Sequence, residues 1–188
     1  GYGEISDVAI KRKIRNRLQD LGEAVFVQSD DRKTDGFKSL RDRADSNSDL
    51  AKILKAKNPA ADEFATIACN EWVDVRSFGQ VFAFKGSNLS VGVRGPVSIQ
   101  TATSIDPIDI VSTQITKSVN SVTSDTRSSD TMGMKHRVDF GVYVFKGSIN
   151  TQLAEKTGFT YEDAEKIKQA LVTLFENDSS SARPDGSM

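Results

Sequence analysis

The sequence is short of the side chains that most enzymes use to hold metals or activate nucleophiles. Cys69 is its one cysteine and His136 its one histidine. A single cysteine excludes an intrachain disulfide framework and a cysteine-cluster zinc site. A single histidine excludes the HExxH zinc motif and any di-histidine metal centre. GxSxG and Walker-type phosphate loops are absent as well. Cys69 falls on the apolar side of a helical pattern, where it reads as a small buried hydrophobe, and His136 opens a strand, so no Cys–His nucleophile pair is expected. No apolar run approaches ~18 residues, so neither a membrane-spanning helix nor an opening signal peptide is expected. An excess of one charge is also missing. Lys and Arg number 25 against 26 Asp and Glu, a net charge of -1. Global charge therefore decides nothing about nucleic acid; local clustering must. The expected class is a soluble, cytoplasmic protein without metal or cofactor. Gly1 opens the chain without an initiator Met, and a loop-like stretch closes it at Met188, so both ends are expected to be cut from a longer polypeptide.

What is present is organised. Ile10, Ile14, Leu18 and Leu21 form one apolar stripe and predict a helix over Asp7 to Leu21. Its other face carries Lys11, Arg12, Lys13, Arg15 and Arg17, five cations within seven residues. Two readings stay open: a solvated helix face, or a surface that tracks phosphates. Val25-Phe26-Val27 predicts a short strand. Asp30 to Asp49, charged and mixed in sign, reads as a surface loop or a loosely packed helical insertion. Phe64, Ile67, Ala68, Trp72 and Val75 predict a helix over Ala61 to Val75. The period then changes to two. Phe78 to Lys85 and Leu89 to Gln100 read as strands around a turn at Gly86-Ser87-Asn88, with an interruption at Gly95-Pro96.

Thr101 to Thr131 differs in texture. Fourteen of its 31 residues are Ser or Thr and none is Trp, Phe or Tyr. It cannot build a large core of its own and reads as a projecting, hairpin-like arm, or else as a linker. Met134 to Asn150 predicts one long strand, with Val138, Phe140, Val142 and Val144 on one face and Arg137, Asp139, Gly141, Tyr143 and Phe145 on the other. Asp139 to Lys146 resembles the aromatic strand of RNA-recognition sheets in part only. Thr160 with Asp163 forms a capping-box pattern before the stripe Ala164, Ile167, Leu171, Leu174 and Phe175, predicting a helix to Phe175. The order helix, insertion, helix, two strands, arm, strand, helix fits an α+β fold with a ferredoxin-like, RNA-recognition-like sheet. Residues 1–100 and 132–188 would form a palm, with a charged insertion at 28–60 and a thumb at 101–131.

Seven ordered blocks carry a family resemblance: DVAIKRKIRN (Asp7 to Asn16), WVDVRSFGQVFA (Trp72 to Ala83), GVRGPVSIQ (Gly92 to Gln100), SIDPI (Ser104 to Ile108), ITKSVN (Ile115 to Asn120), DTMGMKHRVDFGVYVFKGSIN (Asp130 to Asn150) and LFENDSSSARPDGSM (Leu174 to Met188). Together they resemble the CRISPR-associated backbone subunit of Cascade surveillance complexes, in its type I-C form. The family departs from this sequence by a further strand and a Gly/Asn-rich loop before Gly1, and by a segment after Met188. The resemblance implies a palm with an inserted thumb that polymerises along a guide RNA (crRNA) in antiviral defence. Its implied partners are that RNA, target DNA through the guide, other copies of itself and other Cascade subunits, with no membrane. No catalytic role is implied. On this reading Lys11, Arg12 and Arg15 hold guide phosphates, and Lys135, His136 and Arg137 line the same groove. Arg76 and Arg94 lie at the palm edge, with Arg76 alternatively an ion-pair partner of Asp74 or Asp7. Met132 and Met134 wedge beside a displaced base or pack a hinge. The alternative function is a metal-dependent RNA-cleaving backbone subunit, with Asp106 or Asp130 as the loop aspartate.

Overall fold

The computed structural model describes residues 1–116 and 132–180. Its elements in chain order are β1 (Tyr2–Ile5), α1 (Asp7–Asp20), α2 (Leu40–Ser46), α3 (Ser48–Lys55), α4 (Ala61–Glu71), α5 (Val73–Phe78), β2 (Gly79–Ala83), β3 (Ser90–Arg94), β4 (Val97–Ile99), β5 (Ala102–Pro107), β6 (Ile110–Thr116), β7 (Met132–Val138), β8 (Tyr143–Val144), β9 (Gly147–Ile149), α6 (Thr151–Thr157) and α7 (Tyr161–Val172). The class is α+β, as the element order predicts. Two compact units are present, Gly1–Ser6 with Thr101–Lys146, and Asp7–Gln100 with Gly147–Met188.

The second unit holds the main core. α1 buries Ile10, Ile14 and Leu18, the predicted stripe. Phe26, Phe64, Trp72 and Phe82 meet near its centre, with ring centroids 4.6 Å apart for Phe26–Trp72, 5.3 Å for Phe26–Phe82 and 5.0 Å for Phe64–Phe82. Aromatic pairs at such spacings add to plain area burial. Ala44, Leu50, Ile53 and Leu54 join the same core from α2 and α3. The charged segment therefore folds rather than forming a bare loop. Ser39 caps α2 by accepting from the Asp42 amide at 3.1 Å. Asn47 caps α3 through the Asp49 and Leu50 amides, at 3.1 and 3.2 Å. Each cap satisfies amides that the first helical turn leaves free. α7 opens on the predicted capping box of Thr160 and Asp163.

Two expectations are corrected in this unit. Val25-Phe26-Val27 is no strand, because the Phe26 and Val27 amides donate to the Asp74 carboxylate, at 2.7 and 3.1 Å, instead of to a neighbouring strand. The helix predicted over Ala61 to Val75 is two helices, broken at Trp72 (φ -121°), and the Val73 amide turns away to the Ala24 carbonyl at 3.0 Å. At the expected interruption, Gly95-Pro96, the segment Leu89 to Gln100 divides into β3, which pairs antiparallel with β2, and β4, which pairs antiparallel with β9. Pro96 has no amide to donate to a ladder.

The first unit is built from strands. β1, β5 and β8 form an antiparallel sheet in that order, and β6 and β7 form a separate hairpin, registered from Ile110 opposite Val138 to Thr116 opposite Met132. The long strand predicted over Met134 to Asn150 is three short ones, β7, β8 and β9. Val138, Phe140, Val142 and Val144 are all exposed, Phe140 at 81%. The Tyr143 ring turns instead toward Gly3 and Gly141. A Cβ on Gly3 would lie 2.7 Å from the Tyr143 hydroxyl and one on Gly141 2.9 Å from the ring, so a side chain at either position would have to displace the Tyr143 side chain.

Candidate nucleic-acid interface

The basic face of α1 is not uniformly free. Lys11 Nζ pairs with Asp7 at 3.0 Å, one turn earlier. Lys13 pairs with Asp178. Arg17 pairs with Glu176 and with Asp20, the latter at 3.9 Å, and its Nε donates to Thr173 Oγ1 at 2.7 Å. Arg15 Nε donates to the buried Asp74 carboxylate at 3.0 Å, and its guanidinium lies 5.1 Å over the Phe78 ring.

Arg12 differs from the other four. It is half-buried, and its Nη1 donates to the Val27 carbonyl at 2.6 Å. Among the described residues no carboxylate lies within ion-pair distance of it. Burial, and then the neighbouring Arg15 charge, hold its pKa below the ordinary guanidinium value; Asp74 and Asp31 offset this in part. A cation held so is under-neutralised and would be relieved by an incoming phosphate.

Arg76 is engaged in an ion pair within the fold. Its Nε and Nη2 fork onto both oxygens of Asp163, at 3.0 and 2.8 Å, and its Nη1 reaches the Cys69 carbonyl at 3.3 Å. The pair ties α5 to the first turn of α7. Its partner is neither Asp74 nor Asp7, because Asp74 is taken by Arg15 and Asp7 by Lys11. Burial alone would raise the Asp163 pKa. The Arg76 fork, the Thr160 amide and the Thr160 hydroxyl outweigh burial and hold it below the usual carboxylate range. A depressed carboxylate stabilises the fold above its unfolded pKa of about 3.9, and that contribution is lost as pH falls through the folded value. Urea midpoints followed from pH ~6 down to pH ~2 should therefore fall less steeply in Asp163→Asn than in the wild type below pH ~4. Parallel curves would assign the acid loss elsewhere. Cys69 is buried as expected, and burial pushes its thiol pKa up.

Arg94 ends β3 exposed, paired through its backbone with Gly79, and no carboxylate among the described residues pairs with it. Gly79 follows Phe78, the ring beneath Arg15, so the sheet edge continues from the Arg15 cluster to Arg94.

On the hairpin, register separates the three consecutive candidates. Side chains alternate along a strand. His136 therefore shares a face with Met132 and Met134, while Lys135 and Arg137 take the opposite face with Val111, Thr113 and Ile115. Of the three residues expected to line one groove, Lys135 and Arg137 thus share a hairpin face that His136 does not. His136 Nδ1 lies 2.8 Å from Ser112 Oγ, directly across the hairpin. Arg137 pairs with Asp139 at 2.6 Å. Met132 and Met134 are 67% and 55% exposed. Lys117, Asp125, Asp130 and the rest of the predicted arm at 117–131 lie outside the described residues.

Sequence reasoning missed the part played by Asp74, which it weighed only as a partner of Arg76. Its carboxylate, 1% exposed, anchors both Arg15 and the 26–27 backbone whose Val27 carbonyl receives Arg12. The available signal was an acid between two valines, where an unpaired charge would be too costly to bury. Among the described residues no group of three or more His, Cys, Asp or Glu side chains gathers as a metal site, and no helix is long and apolar enough to cross a membrane. Asp106, at the end of β5, is exposed.

With this geometry in hand, comparison with known proteins places the chain. The sequence pattern of the CRISPR-associated protein Cas7 family matches residues 1–188, the whole sequence. The chain belongs to the Cas7 family. A CRISPR-associated protein Cas7 from Haloferax volcanii is 25% identical over 209 aligned residues, which take in 96% of this chain and 56% of that protein. The chain thus spans little more than half the length of that curated Cas7 relative. Among solved structures, a chain of a CRISPR RNA-guided surveillance complex in its pre-nicking state matches with a TM-score of 0.51 at 16% identity, covering 98% of this chain and 68% of that one. That likeness concerns the fold.

Proposed function

We propose that this Cas7 chain is a non-catalytic, guide-RNA-binding backbone subunit of a cytoplasmic type I-C Cascade complex. It polymerises along the guide and supports target DNA recognition, together with the other Cascade subunits. The family membership supports the general role, and the ordered sequence blocks favour the I-C form. The observation that carries RNA binding is Arg12, a half-buried guanidinium with no carboxylate partner among the described residues, on a helix whose other four cations each have one. Arg94, Lys135 and Arg137 are further phosphate contacts. Met132, Met134 and His136, on the other hairpin face, meet bases rather than phosphates. Residues 1–100 and 132–188 serve as palm and 101–131 as thumb.

Single-stranded RNA binding titrated from ~50 to ~200 mM salt tests this reading. Each lost phosphate contact flattens the log–log salt slope by ~0.7. Arg12→Ala should flatten it by about that amount and weaken binding across unrelated sequences alike. Lys11→Ala should do less, because Asp7 already neutralises that ammonium. An Arg12→Ala protein that is folded yet unchanged in affinity and slope would sink the assignment.

A further inference from the structure

The segment that follows α7 lies along α1 and neutralises one side of it. Lys13 pairs with Asp178, and Arg17 with Glu176. Arg17 Nε also donates to Thr173 Oγ1 at 2.7 Å, and the Lys13 ammonium stands 5.5 Å over the Phe175 ring. Arg32, on the loop that flanks α1, donates through Nη1 to the Asn177 carbonyl at 2.8 Å and pairs through Nη2 with Asp20. One short segment, 173–178, thus engages Lys13, Arg17 and Arg32 together. Lys13 and Arg17 are one helical turn apart, on the same face and ~6 Å along the axis.

Local geometry brings the segment back over the helix. The Glu176 amide donates to the Thr173 carbonyl at 3.1 Å, closing a turn just past α7. Asn177 follows at φ +53°, the one non-glycine among the described residues in the left-handed region, and asparagine is a residue type that tolerates it. Asp178 then meets Lys13. That pair is well covered, its side chains 9% and 13% exposed, whereas Glu176 is 62% exposed beside Arg17.

We infer that residues 173–178 form an acidic clasp on α1 that the guide strand displaces. The inference rests on the reading of α1 as the phosphate-tracking helix. Glu176 and Asp178 hold the cations that successive phosphates would take. A strand that engages Arg12 reaches Lys13 next and Arg17 one turn on, and its phosphates replace the two carboxylates. Each ion pair lost is matched by one formed, and a pair as exposed as Arg17–Glu176 holds weakly. A polyanion also releases condensed counterions as its phosphates are neutralised, a gain that a single anion lacks. The clasp therefore yields to a run of phosphates and resists isolated ones.

The first test needs no variant. Hydrogen–deuterium exchange on the full chain should quicken several-fold across residues 174–180 when single-stranded RNA saturates it, while exchange in α1 slows. Millimolar inorganic phosphate alone should leave the segment unchanged. Exchange there that RNA leaves unchanged or slows, or that phosphate quickens equally, would overturn the clasp. Binding supplies the second test. Glu176→Gln/Asp178→Asn should tighten RNA binding roughly fivefold at ~50 mM salt with its salt slope unchanged, because phosphates take both cations in either protein. Lys13→Gln/Arg17→Gln should flatten the slope by about 1.4, two contacts at ~0.7 each. An unflattened slope there would mean that phosphates never reach these cations. Glu162→Gln/Glu165→Gln removes the same charge from exposed positions of α7 and should leave affinity alone. Equal tightening in both acid variants would mean net charge rather than a clasp. Unchanged exchange at 174–180 together with a flattened slope in Arg12→Ala would overturn the clasp and keep the guide reading. Quickened exchange with Arg12→Ala unchanged would fail the Arg12 assignment and keep the clasp.

Discussion

Asp74→Ala should cost about 3–5 kcal/mol of stability, the penalty for removing one partner of a buried ion pair. Three donors converge on this carboxylate: the Phe26 amide at 2.7 Å, the Val27 amide at 3.1 Å and Arg15 Nε at 3.0 Å. Alanine leaves two backbone amides and a guanidinium without their acceptor. Burying an amide unsatisfied costs about 1–3 kcal/mol, and a charged group more. Phe26 also anchors the aromatic core, so the segment cannot peel outward to find water without exposing its ring. Asp74→Asn should fall between, since it keeps an acceptor for one amide but loses the charge facing Arg15. Urea unfolding measures all three proteins. A loss below about 1 kcal/mol in Asp74→Ala would mean that water or a shifted side chain replaces the carboxylate.

This carboxylate also links stability to the proposed RNA contact. It fixes the 26–27 backbone, and the Val27 carbonyl in turn receives Arg12. Arg12 is thereby pre-positioned by a residue that need never touch RNA. Pre-positioning matters because a long, rotamer-rich side chain otherwise loses entropy on binding.

Local signals in the sequence were reliable and distant pairings were not. The α1 stripe and the Thr160–Asp163 capping box are written within a few residues, and both formed. α2 and α3 were half-hidden because charged residues dominate the segment, although Asn47 before Leu50, Ile53 and Leu54 is a cap followed by a core face. The short β1 and α6 offered too few residues for a period to register. Val-Phe-Val looked like a strand by composition, but a carboxylate 47 residues away took the Val27 amide. The same limit governed the site. Five cations on α1 were plain to see, yet which of them stayed unpaired depended on acids 59 and 165 residues away, for Arg15 and Lys13. The near balance of 25 basic and 26 acidic residues was the one hint that most cations would find partners. The split of His136 from Lys135 and Arg137, by contrast, followed from strand alternation alone.

Gly95→Ala should destabilise by about 3 kcal/mol or more, at the upper end of overpacking costs, because there is no side chain that can yield. A Cβ there would stand 2.3 Å from the Ser77 carbonyl and 2.4 Å from the Gly79 amide nitrogen, both backbone atoms. Gly79 answers with the same closeness, 2.3 Å from the Val93 carbonyl, and holds φ +80°, where L side chains are strained. The end of α5 and the end of β3 therefore cross at contact distance, and only two glycines admit the crossing. Relief requires parting the Gly79–Arg94 end of the β2–β3 ladder. The ring of Phe82, fully buried in β2, would be drawn with it. Gly92→Ala on the same strand has open space at its Cβ and should be near neutral. Thermal melts of the two variants side by side distinguish a crossing that demands glycine from a general intolerance of β3. Equal melting points would remove the argument. If the Gly95 variant still folds, Arg94 sits next to the displaced backbone, and RNA binding should weaken in it and not in Gly92→Ala.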